Sequence, residues 1–397
     1  MNIGLIHKKD RPFLIKYSNR ECPHLTIETN LSCNIKCRSC YNINNEYIKP
    51  LDLICKEIET GMQKRRLQTI TLIGGEPTLH PDLVSIVAYI HQKGLYCQML
   101  TNGVVFLEDE KDILLEAVIK AGLDKILLHV DEGQHMIHSN PEEVISALFQ
   151  KFEQKRIFYS LSSTIFPDTQ KLIPGKIKRY AHYRYFDGIL GLLVRNCEET
   201  IKPTFDEADA AQMEAEYEGI TEQLGIKPVL YFPTTLDDAK ASWLFYFFFI
   251  NAATGALFSR SRLFIRLFFA SYKLIFRQIP FALNFKGPVF YVVFILSSVI
   301  EWMINPLRFP AWIGLIKNSR FFSTLRIHTL VLQNPPQYDQ EMKQFGFCYH
   351  CPDATIRNGK LTPLCLADMI NPLPGSDRKE IPEEVRRTVY EHLGEPV

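Results

Sequence analysis

Six of the chain's ten cysteines fall into two tight groups whose spacing can do chemistry. Cys33, Cys37 and Cys40 stand in ETNLSCNIKCRSCYN with C-x3-C-x2-C spacing. Three thiolates on one short loop can hold three irons of a cubane cluster and leave the fourth iron open to another ligand. Zinc would want four ligands, commonly in two paired knuckles, and no matching pair lies nearby. A redox-labile group of thiols, or a chance grouping, is the plain alternative. The second group, Cys348, Cys351 and Cys365, lies in FGFCYHCPDATIRNGKLTPLCLAD. The stretch from Ala354 to Pro363 reads as a hairpin turning at Asn358-Gly359, which would return Cys365 beside Cys348 and Cys351. A zinc-stapled hairpin competes there with an iron–sulfur site. Either needs a fourth ligand, open among His350, one of the scattered cysteines and a substrate. Cys22, Cys55, Cys97 and Cys197 sit singly in apolar stretches and read as small buried hydrophobes.

The elements that must position these groups are legible from Pro23 to about Pro233. Strand candidates are 24–30, 69–75, 95–103, 125–133, 156–164 and 188–194. Amphipathic segments lie near 51–65, 81–93, 109–122, 141–154 and 205–223, with starts such as Pro81-Asp82 and Asn140-Pro141-Glu142-Glu143. Strand, crossover helix and strand in repetition argue for an α/β fold with a parallel sheet, whose ligands gather at the carboxyl ends of the strands. The chemistry-bearing residues fall at those ends. Lys+Arg 45 against Asp+Glu 44 leaves no global field to draw nucleic acid. The opening MNIGLIHKKDRPFLIK lacks an apolar signal core, so the cysteines read as thiols of a reducing cytosol.

Composition changes at 236. Residues 243–258, 263–276 and 289–304 are strongly apolar, yet shorter than the roughly 20 residues a bilayer span needs. Arg260, Arg262, Arg266, Lys273, Arg277 and Glu301 interrupt them. On a helix over 262–277, Arg262, Arg266, Lys273 and Arg277 fall within an arc of about 60° opposite Leu, Phe and Ile. A basic stripe of that kind suits a helix lying in a membrane interface. Pro280 and Gly287-Pro288 then break the chain, and Trp302 and Trp312 could anchor near headgroups. The rival is a helical subdomain buried against the barrel or between subunits, though three such segments would need a large partner surface.

With these motifs in register, the chain resembles the radical SAM superfamily over roughly residues 22–200. In that family C-x3-C-x2-C follows the first strand of a barrel and holds a [4Fe–4S] cluster that binds S-adenosylmethionine (SAM). Gly74-Gly75-Glu76-Pro77 resembles the family's GGEP motif for the methionine amine; glycines let backbone approach the ligand and Glu76 supplies acceptors. Leu100-Thr101-Asn102-Gly103 resembles the third-strand element near the cofactor. His129-Val130-Asp131-Glu132-Gly133, with His135 and His138 after it, resembles the fourth-strand end. The residue before the third cysteine is Ser39 where the family commonly has an aromatic, and Tyr41 follows. The second cysteine group resembles the auxiliary-cluster hairpins of SPASM and Twitch extensions, with five residues instead of four between Gly359 and Cys365.

The resemblance implies a partial (β/α)6 barrel over 1–235 and a C-terminal auxiliary-cluster segment and tail over 321–397; the block between them, 236–320, reads from its composition as a hydrophobic, membrane-associating helical insert. The resemblance also implies an enzyme that forms a 5′-deoxyadenosyl radical and draws electrons from an external donor of the flavodoxin or ferredoxin type. A greasy insert beside such a barrel suggests a lipid, isoprenoid or hopanoid-like substrate. The layout is similar to that of adenosylhopane and tetraether-lipid synthases, though it shares no particular motif with either. The expected location is cytoplasmic, peripheral at the inner face of the cell membrane. A peptide-modifying maturase, and a membrane-bound iron–sulfur carrier or sensor without SAM turnover, are the alternatives.

Overall fold

From Pro23 onward, short aliphatic runs form strands and segments of 3.6-residue period form the helices between them. The structure is a computed structural model, described here for all residues except 39, 41, 43, 135–139, 195–211, 282–298, 304–305, 307–308, 311–312, 314–324, 340, 377–380 and 397. Ser39, Tyr41, His135, His138, Cys197, Gly287, Pro288, Trp312 and most of 289–304 therefore lie outside the described residues.

After a two-residue edge strand β1 (Phe13–Leu14), six strands follow: β2 (His24–Glu28), β3 (Thr69–Ile73), β4 (Tyr96–Thr101), β5 (Leu123–His129), β6 (Phe158–Ile165) and β7 (Phe186–Leu193). Each pairs in parallel with the next. The intervening helices are α1 (Leu51–Lys64), α2 (Leu83–Gln92), α3 (Val104–Glu108), α4 (Ile113–Ala121), α5 (Pro141–Lys155) and α6 (Ile173–Tyr180). Their apolar stripes, such as Ile86, Val87 and Ile90 on α2, join one continuous core with the strands. Pro141 opens α5 with Glu142 and Glu143 in its first turn, where exposed amides favour negative charge. This parallel sheet is the expected partial barrel.

The apolar block departs from expectation. After α7 (Met213–Leu224), the chain forms β8 (Leu230–Pro233), β9 (Ala241–Asn251) and β10 (Leu257–Ser259) before α8 (Arg262–Phe276). Residues 243–258, expected within a helical insert, are thus mainly strand. β9 lies inside an 11-stranded sheet of order β1-β8-β9-β11-β7-β6-β5-β4-β3-β2, with β10 pairing β9. Its partner β11 (Leu325–Gln333) runs antiparallel to β9 and parallel to β7, so the C-terminal segment contributes a barrel strand. The physical reason is burial on both faces: such a strand carries no hydrophobic alternation and reads as a continuous apolar run. Residue 262 onward is helical as expected, capped by Ser261, whose hydroxyl accepts from the Phe264 N–H. No described helix is long and apolar enough to cross a membrane.

β12 (Gln337–Asp339), β13 (Gln344–Gly346), β14 (Ala354–Arg357), β15 (Lys360–Pro363), α9 (Ala367–Ile370) and α10 (Glu383–Leu393) complete the chain. β14 and β15 form the expected hairpin, with Asn358 and Gly359 both at positive φ, the geometry a type I′ turn requires. Two buried arginines fasten this segment to the barrel. Arg357 grips Glu28 of β2 at 2.9 and 2.7 Å and reaches Asp368 at 3.1 Å. Arg65, just past α1, donates to the carbonyls of His350, Cys351 and Pro352.

Candidate functional site

The loop after β2 carries Cys33, Cys37 and Cys40, and the turns after β3, β4 and β5 meet it. Gly75 donates its N–H to the Asn30 carbonyl at 2.7 Å, and Glu76 to that of Ser32 at 2.8 Å. A Cβ on Gly74 would sit 2.5 Å from the Asn30 carbonyl oxygen, and one on Gly75 only 2.1 Å from that of Ser32. These glycines thus admit the cysteine loop itself, whose backbone leaves no room for a Cβ at either position. Pro77 follows in a buried 3-10 turn.

Glu76 is fully buried, and its carboxylate is already engaged. It accepts from the Thr78 N–H and hydroxyl, from the Thr101 hydroxyl at 2.6 Å and from the Asn102 N–H at 2.8 Å. Burial raises its pKa, against the lowering by these donors. Asn102 in turn donates to Asn34 Oδ1 at 2.8 Å and toward Cys33 Sγ at 3.9 Å. The ends of β3 and β4 are therefore bolted to each other and to the cysteine loop. Asp131, also buried, accepts from the Thr164 N–H at 2.7 Å and stands 3.5 Å from His129 Nε2. Gln134, which sequence reasoning missed, donates to Cys37 Sγ at 3.5 Å. Burial pushes the Cys37 thiol up to about 12, with the neighbouring Cys40 adding to the shift, and burial raises Cys33 as well.

All three thiols face one cavity of about 880 Å³ that runs through the barrel. Glu76, Thr101, Asn102, His129 and Asp131 line it beside them, and Cys348, Cys351 and Cys365 line it too. The hairpin thus sets the second cysteine group on the same space as the first. Trp243 of β9 donates its indole N–H to Cys348 Sγ at 3.0 Å. Hydrogen bonding from Cys351 draws the Cys348 thiol down, with the Trp243 donor adding to it. His350, one open choice for a fourth ligand, does not line the cavity; Asp353 does. As placed, no three His, Cys, Asp or Glu side chains among the described residues stand together as a metal-holding group. The opposite wall is aromatic: Trp243, Phe245, Phe247 and Phe249 from β9, with Phe264 and Phe268 from α8. No composition signal distinguished these wall residues from a membrane-facing surface.

Fold and site together are a parallel α/β partial barrel with three cysteines on the loop after β2 and a GGEP turn after β3. Residues 27–149 match the model of the Radical SAM superfamily. The protein named Probable GTP 3′,8-cyclase in Thermoplasma volcanium is 29% identical over 144 residues, which are 35% of this chain and 40% of that one. PqqA peptide cyclase of Gluconobacter oxydans is 33% identical over 114 residues, covering 26% and 29%. SuiB of Streptococcus suis superposes with a TM-score of 0.38 at 14% identity, over 45% of this chain and 41% of that one. The match to these curated relatives spans two fifths or less of their length. This chain carries a radical SAM domain.

The family's resident groups are a [4Fe–4S] cluster and SAM. The donor set fits them in kind, though as placed the thiols are not drawn together into a metal-holding group: three thiols on one loop line one cavity, and side-chain amides donate to two of the sulfurs.

Proposed function

We propose that this chain is a radical SAM enzyme acting on an apolar substrate. The supporting observation is the aromatic wall from Trp243 to Phe249, which shares one cavity with Cys33, Cys37 and Cys40. Unactivated C–H bonds, the reactive positions of lipids and isoprenoids, offer no polar handle for acid–base attack. When bound, the cluster and SAM supply one-electron cleavage of a carbon–sulfur bond and a carbon radical that abstracts hydrogen.

Cys33, Cys37 and Cys40 would hold the cluster. Gly74, Gly75, Glu76, Pro77, Thr101, Asn102 and Asp131 would form the SAM side of the cavity. Because the Glu76 carboxylate already accepts several internal hydrogen bonds, its part is to fix the strand ends that carry the others. The aromatic wall excludes water from the reacting face. Cys348, Cys351 and Cys365 would hold an auxiliary iron–sulfur cluster, with zinc the competing metal, and electrons would come from an external donor.

The reading also includes contact with a membrane surface. Leu263, Leu267, Leu274, Ile275 and Phe276 of α8 are exposed, with Arg266 and Arg277 among them. The basic stripe is only partly open: Lys273 pairs with Glu21 at 3.0 Å and Arg262 donates to the Arg11 carbonyl.

The test is 5′-deoxyadenosine formation by reconstituted, reduced protein. Cys33→Ala, Cys37→Ala and Cys40→Ala should each abolish it, and retained turnover would end the assignment. Peptide modification is a second reading, favoured by the similarity to a peptide cyclase. Lipid and peptide profiling of a deletion strain separates the two: an accumulated apolar precursor supports the first, an unmodified peptide the second.

A further inference from the structure

Charge is not spread evenly along the cavity. The acids Glu76 and Asp131 line it just past the carboxyl ends of β3 and β5, beside the first cysteine group, and Asp353 lines it 3.4 Å from His24 at the start of β2. The basic lining residues Lys125, Arg184, Arg260 and Arg326 gather at the opposite end. Lys125 is near the start of β5, Arg184 directly precedes β7, and Arg326 is the second residue of β11, which runs parallel to β7. Arg260 follows β10, which pairs with the far end of β9. Among the described residues Asp187 also lines that end, at 2.6 Å from Lys125; Glu301, which does not line the cavity, pairs with Arg260 at 2.8 Å.

Between the two ends runs an aromatic ladder. Trp243, Phe245, Phe247 and Phe249 occupy alternate positions of β9 and so share its cavity face. They lie opposite Gln333, Val331, Thr329 and Ile327 of β11 in register. Six rises of about 3.3 Å, from Trp243 to Phe249, make the ladder about 20 Å long. Its upper rung touches Cys348 through the indole N–H, and at its lower rung Arg260 stacks 4.8 Å from the Phe249 ring.

We propose that this cavity binds an anionic amphiphile, its head at the Lys125–Arg184–Arg326 end and its apolar chain along the ladder toward Cys33, Cys37 and Cys40. The inference deepens the apolar-substrate reading and rests on it. It makes the reacting carbon one remote from the head, in the part of the chain that reaches the cysteine end. A carboxylate and a phosphate ester share the required chemistry, since guanidinium groups take either through paired N–H donors.

The test is equilibrium binding to the full-length reconstituted protein, with palmitate, hexadecyl phosphate and hexadecanol as probes. Both anions should bind at least about tenfold more tightly than the neutral alcohol, the scale of a hydrogen bond to a charged group. Arg184→Ala combined with Arg326→Ala should erase that preference, and Arg184→Lys should keep most of it. Affinity should rise with chain length and level off near the ladder's reach. Whichever anion binds tighter identifies the head. Equal binding of alcohol and anions, or a preference untouched by the double variant, overturns the proposal. Binding is read without turnover, so the two readings fail separately. Anion binding without 5′-deoxyadenosine formation removes the enzyme assignment; 5′-deoxyadenosine formation without anion preference removes this proposal.

Discussion

Glu28→Ala should strongly destabilise the junction between β2 and the C-terminal hairpin. Glu28 and Arg357 are each about 3% exposed and meet through two hydrogen bonds of 2.7 and 2.9 Å. Removing the carboxylate strands a guanidinium in a site that water does not reach, which typically costs 3–5 kcal/mol. Asp368 remains 3.1 Å from Arg357, so part of the charge stays compensated and the expected loss is about 3 kcal/mol. Replacing the whole triad by apolar residues, Glu28→Leu with Arg357→Met and Asp368→Leu, removes the charges together and should recover most of that loss. Urea unfolding of the full chain measures both variants, and hydrogen exchange across β14 and β15 reports whether the hairpin loosens first. A single variant within about 1 kcal/mol of wild type, or a triple variant no better than the single one, would refute the argument.

Three further outcomes follow from the same geometry. Gly75→Ala drives a methyl group into the Ser32 carbonyl, so the cysteine loop should shift; iron bound per chain after reconstitution should fall, with about 1–3 kcal/mol lost in unfolding. His328, buried in β11 against the Ala181 carbonyl, has its pKa lowered by burial from 6.5 to about 4. The unfolded chain therefore takes up that proton first as pH falls: the stability from neutral His328 is present above pH 6.5 and lost toward pH 4, at most about 1.4 kcal/mol per pH unit. His328→Phe should flatten that slope in unfolding curves at pH 5 and 7. Leu263, Leu267 and Leu274 changed together to Glu should abolish flotation with anionic liposomes, and unchanged flotation would count against membrane contact.

The parallel half of the barrel was legible because its strands alternate with helices of clear period, and each motif fell at a strand end. Asn358-Gly359 likewise announced its hairpin, since few residues accept two successive positive φ values. Long-range polar bonds were not legible. Arg65 and Gln134 look like ordinary surface residues in the sequence, yet one fixes the second cysteine loop and the other donates to Cys37. Nothing local encodes such partners, which lie 286 and 97 residues away. Glu76 was identified as a site residue, but sequence could not show that Thr78, Thr101 and Asn102 already occupy its oxygens.

The greatest difference concerns WLFYFFFI, and it changes the chemistry expected of the chain. Read as helix, those residues formed a greasy appendage that needed a bilayer to cover it. As the strand β9, they divide between two interiors. Leu244, Tyr246, Phe248 and Ile250 pack into the protein, Phe248 lying 5.7 Å from the His328 ring. Trp243, Phe245, Phe247 and Phe249 wall the cavity that the cysteines face. Helix α8 repeats the division, since Phe264 and Phe268 turn to the cavity while Leu267 and Leu274 stay outside. Most of the apolar surface of β9 is thus committed to internal walls, and an apolar substrate no longer requires membrane contact. A protein that failed to float with liposomes would still present a 20 Å aromatic face to the reacting site.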